Sequence, residues 1–269
     1  VVAPPYLDHL RSGDLIPLPT GEDLLRAEAD PVGHPVRFPL ASELPHDDGE
    51  PMETPWHREN MNLLIDVIDT RWRGREDFFS GGNMFVYFRN RHVFNRDFRG
   101  PDFFVVNGGV DRRPRLSWIA WEEDGRLPDV IVELASESTL SVDRTVKKEL
   151  YATRFKTHEY FVYDPATDRL EGWRLGQGAG YEPIAPDAAG RLWCEQIACS
   201  LGTWDGVYGY WPKRWLRMFE ADGRLCPTQL ESETAARQVE AAARQSAEVE
   251  LARLRSELAA LRNPPPTTT

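Results

Sequence analysis

Two acids stand where an ionised carboxylate is hard to keep. Asp102 directly precedes the apolar run 103–106, and Glu133 lies inside the nearly continuous apolar run Val130–Leu134. Both runs read as strands, and a charge in such a strand must be paired, neutralised or bound to a metal ion. If the two strands pair antiparallel, the start of one lies beside the end of the other and the acids meet. Adjacent carboxylates repel, and a divalent cation between them offsets the repulsion. Oxygen-only ligation suits Mg²⁺, with Mn²⁺ as the alternative. A helix expected over residues 141–154 carries Asp143, Lys147 and Tyr151 at i, i+4 and i+8, on one face. A lysine beside a carboxylate-bound metal orients an attacking water, helps deprotonate it, and stabilises charge developing on a phosphate.

Each feature alone also has a structural reading. Asp102 could cap a turn, Glu133 could pair with a buried arginine, and Asp143 with Lys147 could be a surface ion pair of little energetic weight. Their succession in compatible contexts points to chemistry. The six histidines form no HExxH pair, and neither a phosphate-binding glycine loop nor a nucleophile elbow is present. The glycines of 176–180 read as a hairpin loop. Three cysteines, Cys194, Cys199 and Cys226, read as free thiols of a reducing, cytoplasmic setting.

The elements that must position these residues follow from periodicity. Thr54-Pro55 signals a helix start, and Met61, Leu64, Ile65 and Ile68 recur at helical spacing up to about Arg73-Gly74. Strands are expected at 84–88, 103–106, 118–121, 130–134, 160–163, 170–175 and 181–184. Residues 185–226 read as loops with short strand-like pieces, including Trp204, Trp211 and Trp215. This order implies an α/β fold, a mixed sheet flanked by helices. Residues 1–50, rich in Pro, Asp and Glu, read as an extended arm with one short helix near Asp23 to Ala29. Residues 51–226 form the α/β domain, 227–263 a C-terminal helix and 264–269 a tail. In the helix, Leu251, Leu254, Leu258 and Leu261 follow a three-four spacing, that of a solvent-projecting helix or short coiled coil, and with it a homodimer. No run of 18 apolar residues exists, so no membrane span is expected; the start lacks the pattern of a secretory signal.

The net charge of −11 argues against a nucleic-acid partner, but its distribution weakens the objection. Residues 1–50 carry −7, whereas residues 71–115 carry +5 with ten arginines: 71, 73, 75, 89, 91, 96, 99, 112, 113 and 115. That stretch reads either as a phosphate-facing surface or as ordinary solvated arginine.

The order Pro101-Asp102, then Glu133 within DVIVELASEST, then Asp143-x3-Lys147-x3-Tyr151, then Glu159-Tyr160-Phe161-Val162-Tyr163-Asp164-Pro165 resembles the Uma-type restriction endonuclease family. The resemblance covers roughly residues 55–225, and a helical C-terminal tail is usual in the family. It implies a PD-(D/E)XK restriction-endonuclease-like fold and a metal-dependent endonuclease acting on duplex or structured DNA. By position, Asp102 and Glu133 are the implied metal-binding acids and Lys147 the implied catalytic lysine. In the general pattern the lysine lies two residues after the second acid, where this chain has Ala135; the family places it on the following helix. The implied fold often takes a third acid from its first helix, where Glu59 is the candidate, with His57 behind it; a helix-face glutamate is more often solvated. Glu137 stands where the family usually has proline, and His158 where it usually has glycine. The rival reading is a catalytically silent nuclease-fold module acting through its C-terminal helix.

Overall fold

The computed structural model describes residues 44, 54–88, 100–178 and 180–262. The short helix expected near residues 23–29, the tail 264–269, and Arg89, Arg91, Arg96 and Arg99 lie outside the described residues. Helix α1 (Pro55–Arg71) starts as its sequence dictates: Thr54 is extended, its hydroxyl accepts from the His57 N–H at 3.4 Å, and Pro55 takes the first turn. Leu63, Leu64, Val67 and Ile68 line its buried stripe. Leu44, within the stretch read as an arm, is buried in a cluster with Phe85, Tyr87 and Ile119.

The central sheet has six strands in the order β1-β3-β5-β6-β7-β8. These are β1 (Phe78–Gly81), β3 (Phe103–Asn107), β5 (Val130–Leu134), β6 (Glu159–Asp164), β7 (Arg169–Leu175) and β8 (Tyr181–Pro183). β5 and β6 are parallel and every other neighbouring pair is antiparallel. A parallel pair needs a crossover, and the helix of residues 140–155, here α2, supplies it. β2 (Val86–Tyr87) and β4 (Trp118–Ile119) form a separate parallel pair. Both are shorter than their apolar runs, and after β4 the chain winds into a 3₁₀ turn at Ala120–Glu122.

Residues 185–226 are not mainly loops. They form β9 (Leu192–Cys194), β10 (Cys199–Tyr208) and β11 (Trp211–Phe219), the last two a long antiparallel hairpin. Glycines and Pro212 interrupt the alternation that would have marked these strands. At Gly206 a Cβ would meet the Trp204 ring at 1.9 Å, so glycine is what lets the indole lie along the strand. Gly209, at φ 60°, opens the tight loop between them.

The sheet is covered on both faces, which explains strands of near-continuous apolar sequence. On one face Phe103, Val105, Val130, Val132 and Phe161 pack against α1 and residues such as Leu201 and Leu216 of the hairpin. On the other, Phe104, Val106, Ile131, Tyr160 and Val162 pack against Tyr151 and Phe155 of α2. Helix α3 (Gln229–Arg262) is anchored at its start, where the Gln229 N–H donates to Asp66 at 2.9 Å and buried Arg217 meets Glu231 at 2.8 Å. From residue 234 onward its described side chains are all exposed. Among the described residues no helix is long and apolar enough to cross a membrane.

Candidate active site

Sheet register brings the two acids together. β3 and β5 pair antiparallel with Phe103 opposite Val132, so the next positions outward are Asp102 and Glu133. Both fall on the face that carries Phe104 and Ile131, beneath α2. Gly82 lets the chain after β1 close over this corner: a Cβ there would lie 2.3 Å from the Asp102 carbonyl oxygen, and the neighbouring Asn83 N–H donates to Pro101 at 3.0 Å. Sequence reasoning passed over this glycine, although Gly81-Gly82-Asn83 is a turn signal.

β5 hands over to α2 within a few residues. The Ala135 N–H donates to Tyr163 at 2.8 Å, extending the β5–β6 pairing by one step. Ser136 and Thr139 then bond reciprocally: Ser136 N–H donates to the Thr139 hydroxyl at 3.0 Å, and Thr139 N–H to the Ser136 hydroxyl at 3.2 Å. The helix that follows alternates α-helical turns (Leu140–Val142, Lys148–Leu150) with π-type turns (Asp143–Lys147, Tyr151–Phe155). Residues four apart on a regular α-helix drift by about 40° around the axis. Wider π turns work against that drift, and such turns often mark functional sites. Three side chains of α2 thereby point at one spot. Lys147 Nζ lies 3.1 Å from Glu133 Oε2 and 2.7 Å from Asp143 Oδ1, and the Tyr151 hydroxyl donates to Glu133 Oε1 at 2.9 Å. Tyr160 donates to the Asp143 carbonyl at 2.9 Å and fixes the helix from the sheet side.

The cluster is closed except at Lys147 and Asp102, which are both half-buried. Glu133 is 0% and Asp143 1% exposed, whereas the Lys147 side chain is 22% exposed. Asp102 accepts the Leu134 N–H at 2.7 Å, which holds it against the end of β5. Burial raises the Asp102 carboxyl above its ordinary value, against the pull of Lys147 and the Leu134 N–H. Burial raises Glu133 as well; Lys147 opposes this, while Asp102 and Asp143 add to it. Burial alone would lower the Lys147 ammonium, but Glu133 and Asp143 outweigh it and lift its pKa above the ordinary value.

Fully ionised, three carboxylates and one ammonium leave two negative charges in excess. Among the described residues no three His, Cys, Asp or Glu side chains are arranged to hold a metal ion. The carboxylates on this face that are left beside the Asp143–Lys147 pair are those of Asp102 and Glu133. One or two carboxylates with water completing the shell is how Mg²⁺ is usually held, so the residues present fit that ion.

Glu59 does not join the cluster. The register that puts Asp102 and Glu133 under α2 leaves α1 on the opposite face, where Glu59 lies 3.6 Å from Arg58. His57 serves the helix start, its Nδ1 lying 2.7 Å from the Thr54 hydroxyl. Of the six arginines of the 71–115 stretch among the described residues, five are held in ion pairs and Arg73 is exposed. Arg71 is bonded to Glu220, Arg75 to Asp77, Arg112 to Asp69, Arg113 to Asp111 and Glu123, and Arg115 to both of those acids. The charge excess counted in sequence is neutralised in these places by acids from other segments and from nearby turns. A cleft of about 620 Å³ opens beside the start of α2, bordered by Leu140, Arg144, Arg169 and Thr203 rather than by the acids of the cluster.

The protein is of the α/β class, a mixed sheet with two acids side by side on an antiparallel strand pair and a lysine on the crossover helix. The chain belongs to the family described as "Uma2: Putative restriction endonuclease", whose model matches residues 39–198. It is also similar to a crystal structure described as a "putative nuclease belonging to DUF820" from Anabaena variabilis ATCC 29413. That likeness has 17% identity and a TM-score of 0.38, and covers 56% of this chain and 88% of the other. No curated protein matches the chain.

Proposed function

We propose that this chain is a metal-dependent endonuclease that hydrolyses phosphodiester bonds of DNA. The reading rests on one observation: Lys147 reaches Glu133 and Asp143 at 3.1 and 2.7 Å on the sheet face that also carries Asp102. Asp102 and Glu133 would hold Mg²⁺, with Mn²⁺ as a substitute. Bound there, the ion supplies Lewis-acid stabilisation of charge on the scissile phosphate. Lys147, whose pKa is raised by its two acids, orients the attacking water and stabilises charge developing on the phosphate. Asp143 orients Lys147. Tyr151 fixes one oxygen of Glu133 and leaves the other directed at Lys147. Cutting both strands of a duplex takes two sites, so a homodimer accompanies this reading.

The test is a panel of duplex DNA, branched DNA and RNA, each with Mg²⁺ or Mn²⁺, against wild type and Lys147→Ala. Wild type should cut DNA, and the variant should be slower by about 10²–10³-fold. Equal cutting by both proteins would mean a contaminant and sink the assignment.

A second reading, a catalytically silent module, is favoured by two observations. Five of the six described arginines of 71–115 are already paired, and Glu133 already has partners on both oxygens. Calorimetry with Mn²⁺ separates the readings: micromolar binding lost in Asp102→Ala supports the enzyme, and no binding supports the module.

A further inference from the structure

We infer that the distal end of α3, residues 247–262, pairs with the same segment of a second copy of this chain as a parallel, in-register coiled coil. Helix α3 has 34 residues, a length of about 51 Å at 1.5 Å per residue. Only its first turn or so rests on the domain. Beyond that, Leu251, Leu254 and Leu258 are 48%, 49% and 52% exposed, a large apolar cost for a lone helix in water.

The spacing identifies the seam. Ala247, Leu251, Leu254, Leu258 and Leu261 follow one another by four, three, four and three residues. Leu251 and Leu258 thus take a positions, and Ala247, Leu254 and Leu261 take d positions. The same register puts Arg237 and Arg244 at a, and Glu233 and Glu240 at d. Charged residues cannot form that seam, so the two helices diverge below Ala247 and the domains stand apart.

Flanking charges select the occupant and its direction. Glu250 and Glu257 fall at g positions, Arg255 and Arg262 at e positions. In a parallel pair each g residue faces the e residue five positions on in the other chain. Glu250 then meets Arg255 of the second copy, and Glu257 meets its Arg262; each contact is made twice by symmetry. An antiparallel pair would set glutamate against glutamate and arginine against arginine. Within the chain, Glu250 and Glu257 both lean on Arg253, at 2.7 and 3.7 Å, while Arg255 and Arg262 have no ion pair among the described residues. Two basic side chains are thus left for a partner whose acids sit at the matching positions, and a second copy of this chain has them. This inference stands independently of the catalytic reading.

Sedimentation equilibrium of the full chain tests it. At about 100 µM, well above a Kd of ~10 µM, wild type should be a dimer and L251D/L258D a monomer with an unchanged melting temperature for the domain. E250R/E257R and R255E/R262E should each dimerise at least about tenfold more weakly than wild type, and an equal mixture of the two should regain wild-type affinity, because every cross-chain pair is then opposite in sign. Leu258→Cys should cross-link to itself on oxidation, as an in-register a position requires. A wild-type monomer or trimer at that concentration overturns the inference. So does dimerisation indifferent to both charge variants, or a Leu258→Cys chain that does not cross-link.

Discussion

Glu159 opens β6 beneath five donors, whereas Glu133, one strand away in β5, shares its surroundings with two other carboxylates. Both are buried, at 1% and 0% exposure, and both follow from short apolar strands of similar composition. Glu159 accepts from Arg174 Nε at 3.0 Å and its terminal nitrogen at 2.8 Å, from the backbone N–H groups of Glu195 and Gln196 at 2.9 Å each, and from the Cys194 thiol at 2.8 Å. Its lone pairs are spent on tying β6 to β7 and to the chain after β9. Around Glu133 the single cation is shared between two acids, and burial drives its pKa upward. A buried acid surrounded by donors is a structural tie. A buried acid crowded by other acids carries a folding penalty, and such penalties gather at functional sites.

The sharpest way to break this comparison is to neutralise each glutamate. Glu133→Gln should lower DNA cleavage by about 10³-fold or more, about 4 kcal/mol in the barrier, while urea denaturation shows stability within ~1 kcal/mol of wild type. Glu159→Gln should do the reverse. The amide keeps one oxygen, so either Arg174 with the Glu195 N–H or the Gln196 N–H with the Cys194 thiol loses its acceptor. That should cost about 3 kcal/mol of stability, with cleavage per folded molecule unchanged. If Glu159→Gln abolished cleavage in a folded protein while Glu133→Gln merely unfolded it, the roles would be inverted.

Titration sharpens the contrast less forcefully. The Glu133 and Asp102 pKa values are raised in the folded state, so the folded chain binds more protons than the unfolded one above the ordinary carboxylate range. Their contribution is fully present below the unfolded pKa values and is lost as pH rises through the folded ones. With a chelator present, thermal denaturation should therefore show stability falling as pH rises above the ordinary carboxylate range, with a smaller fall in Glu133→Gln. The smallest effect belongs to Glu59→Ala, on the opposite face of the sheet: stability within about 0.5 kcal/mol of wild type and unchanged cleavage.

Much of this corner could be read from sequence because its logic is local. An acid inside Val130–Leu134 has no exposed side of a strand to occupy, and the i, i+4, i+8 run Asp143, Lys147, Tyr151 fixes which helix face meets it. The antiparallel pairing that joins Asp102 to Glu133 needed only the direction of two neighbouring strands. Other parts depended on distant partners. Glu59 has the right residue type on the right helix, but which sheet face α1 covers is decided by the whole core. The arginines of 71–115 form a basic stretch in sequence, yet Arg71 is matched by Glu220 across 149 residues. β10 and β11 were hidden because Gly206 and Pro212 break the period, and β1 because its four residues include a serine and a glycine. The π-type turns of α2 leave no mark in composition.

The most direct test is calorimetric titration of Mn²⁺ into wild type and Glu133→Gln, after both are shown to be folded. One ion per chain should bind wild type with micromolar affinity and be lost in the variant, with Lys147 free to turn toward solvent once its glutamate is engaged. Silence in the wild type, or equal heats from both proteins, would contradict the reading of this corner as a cation-holding hydrolytic centre.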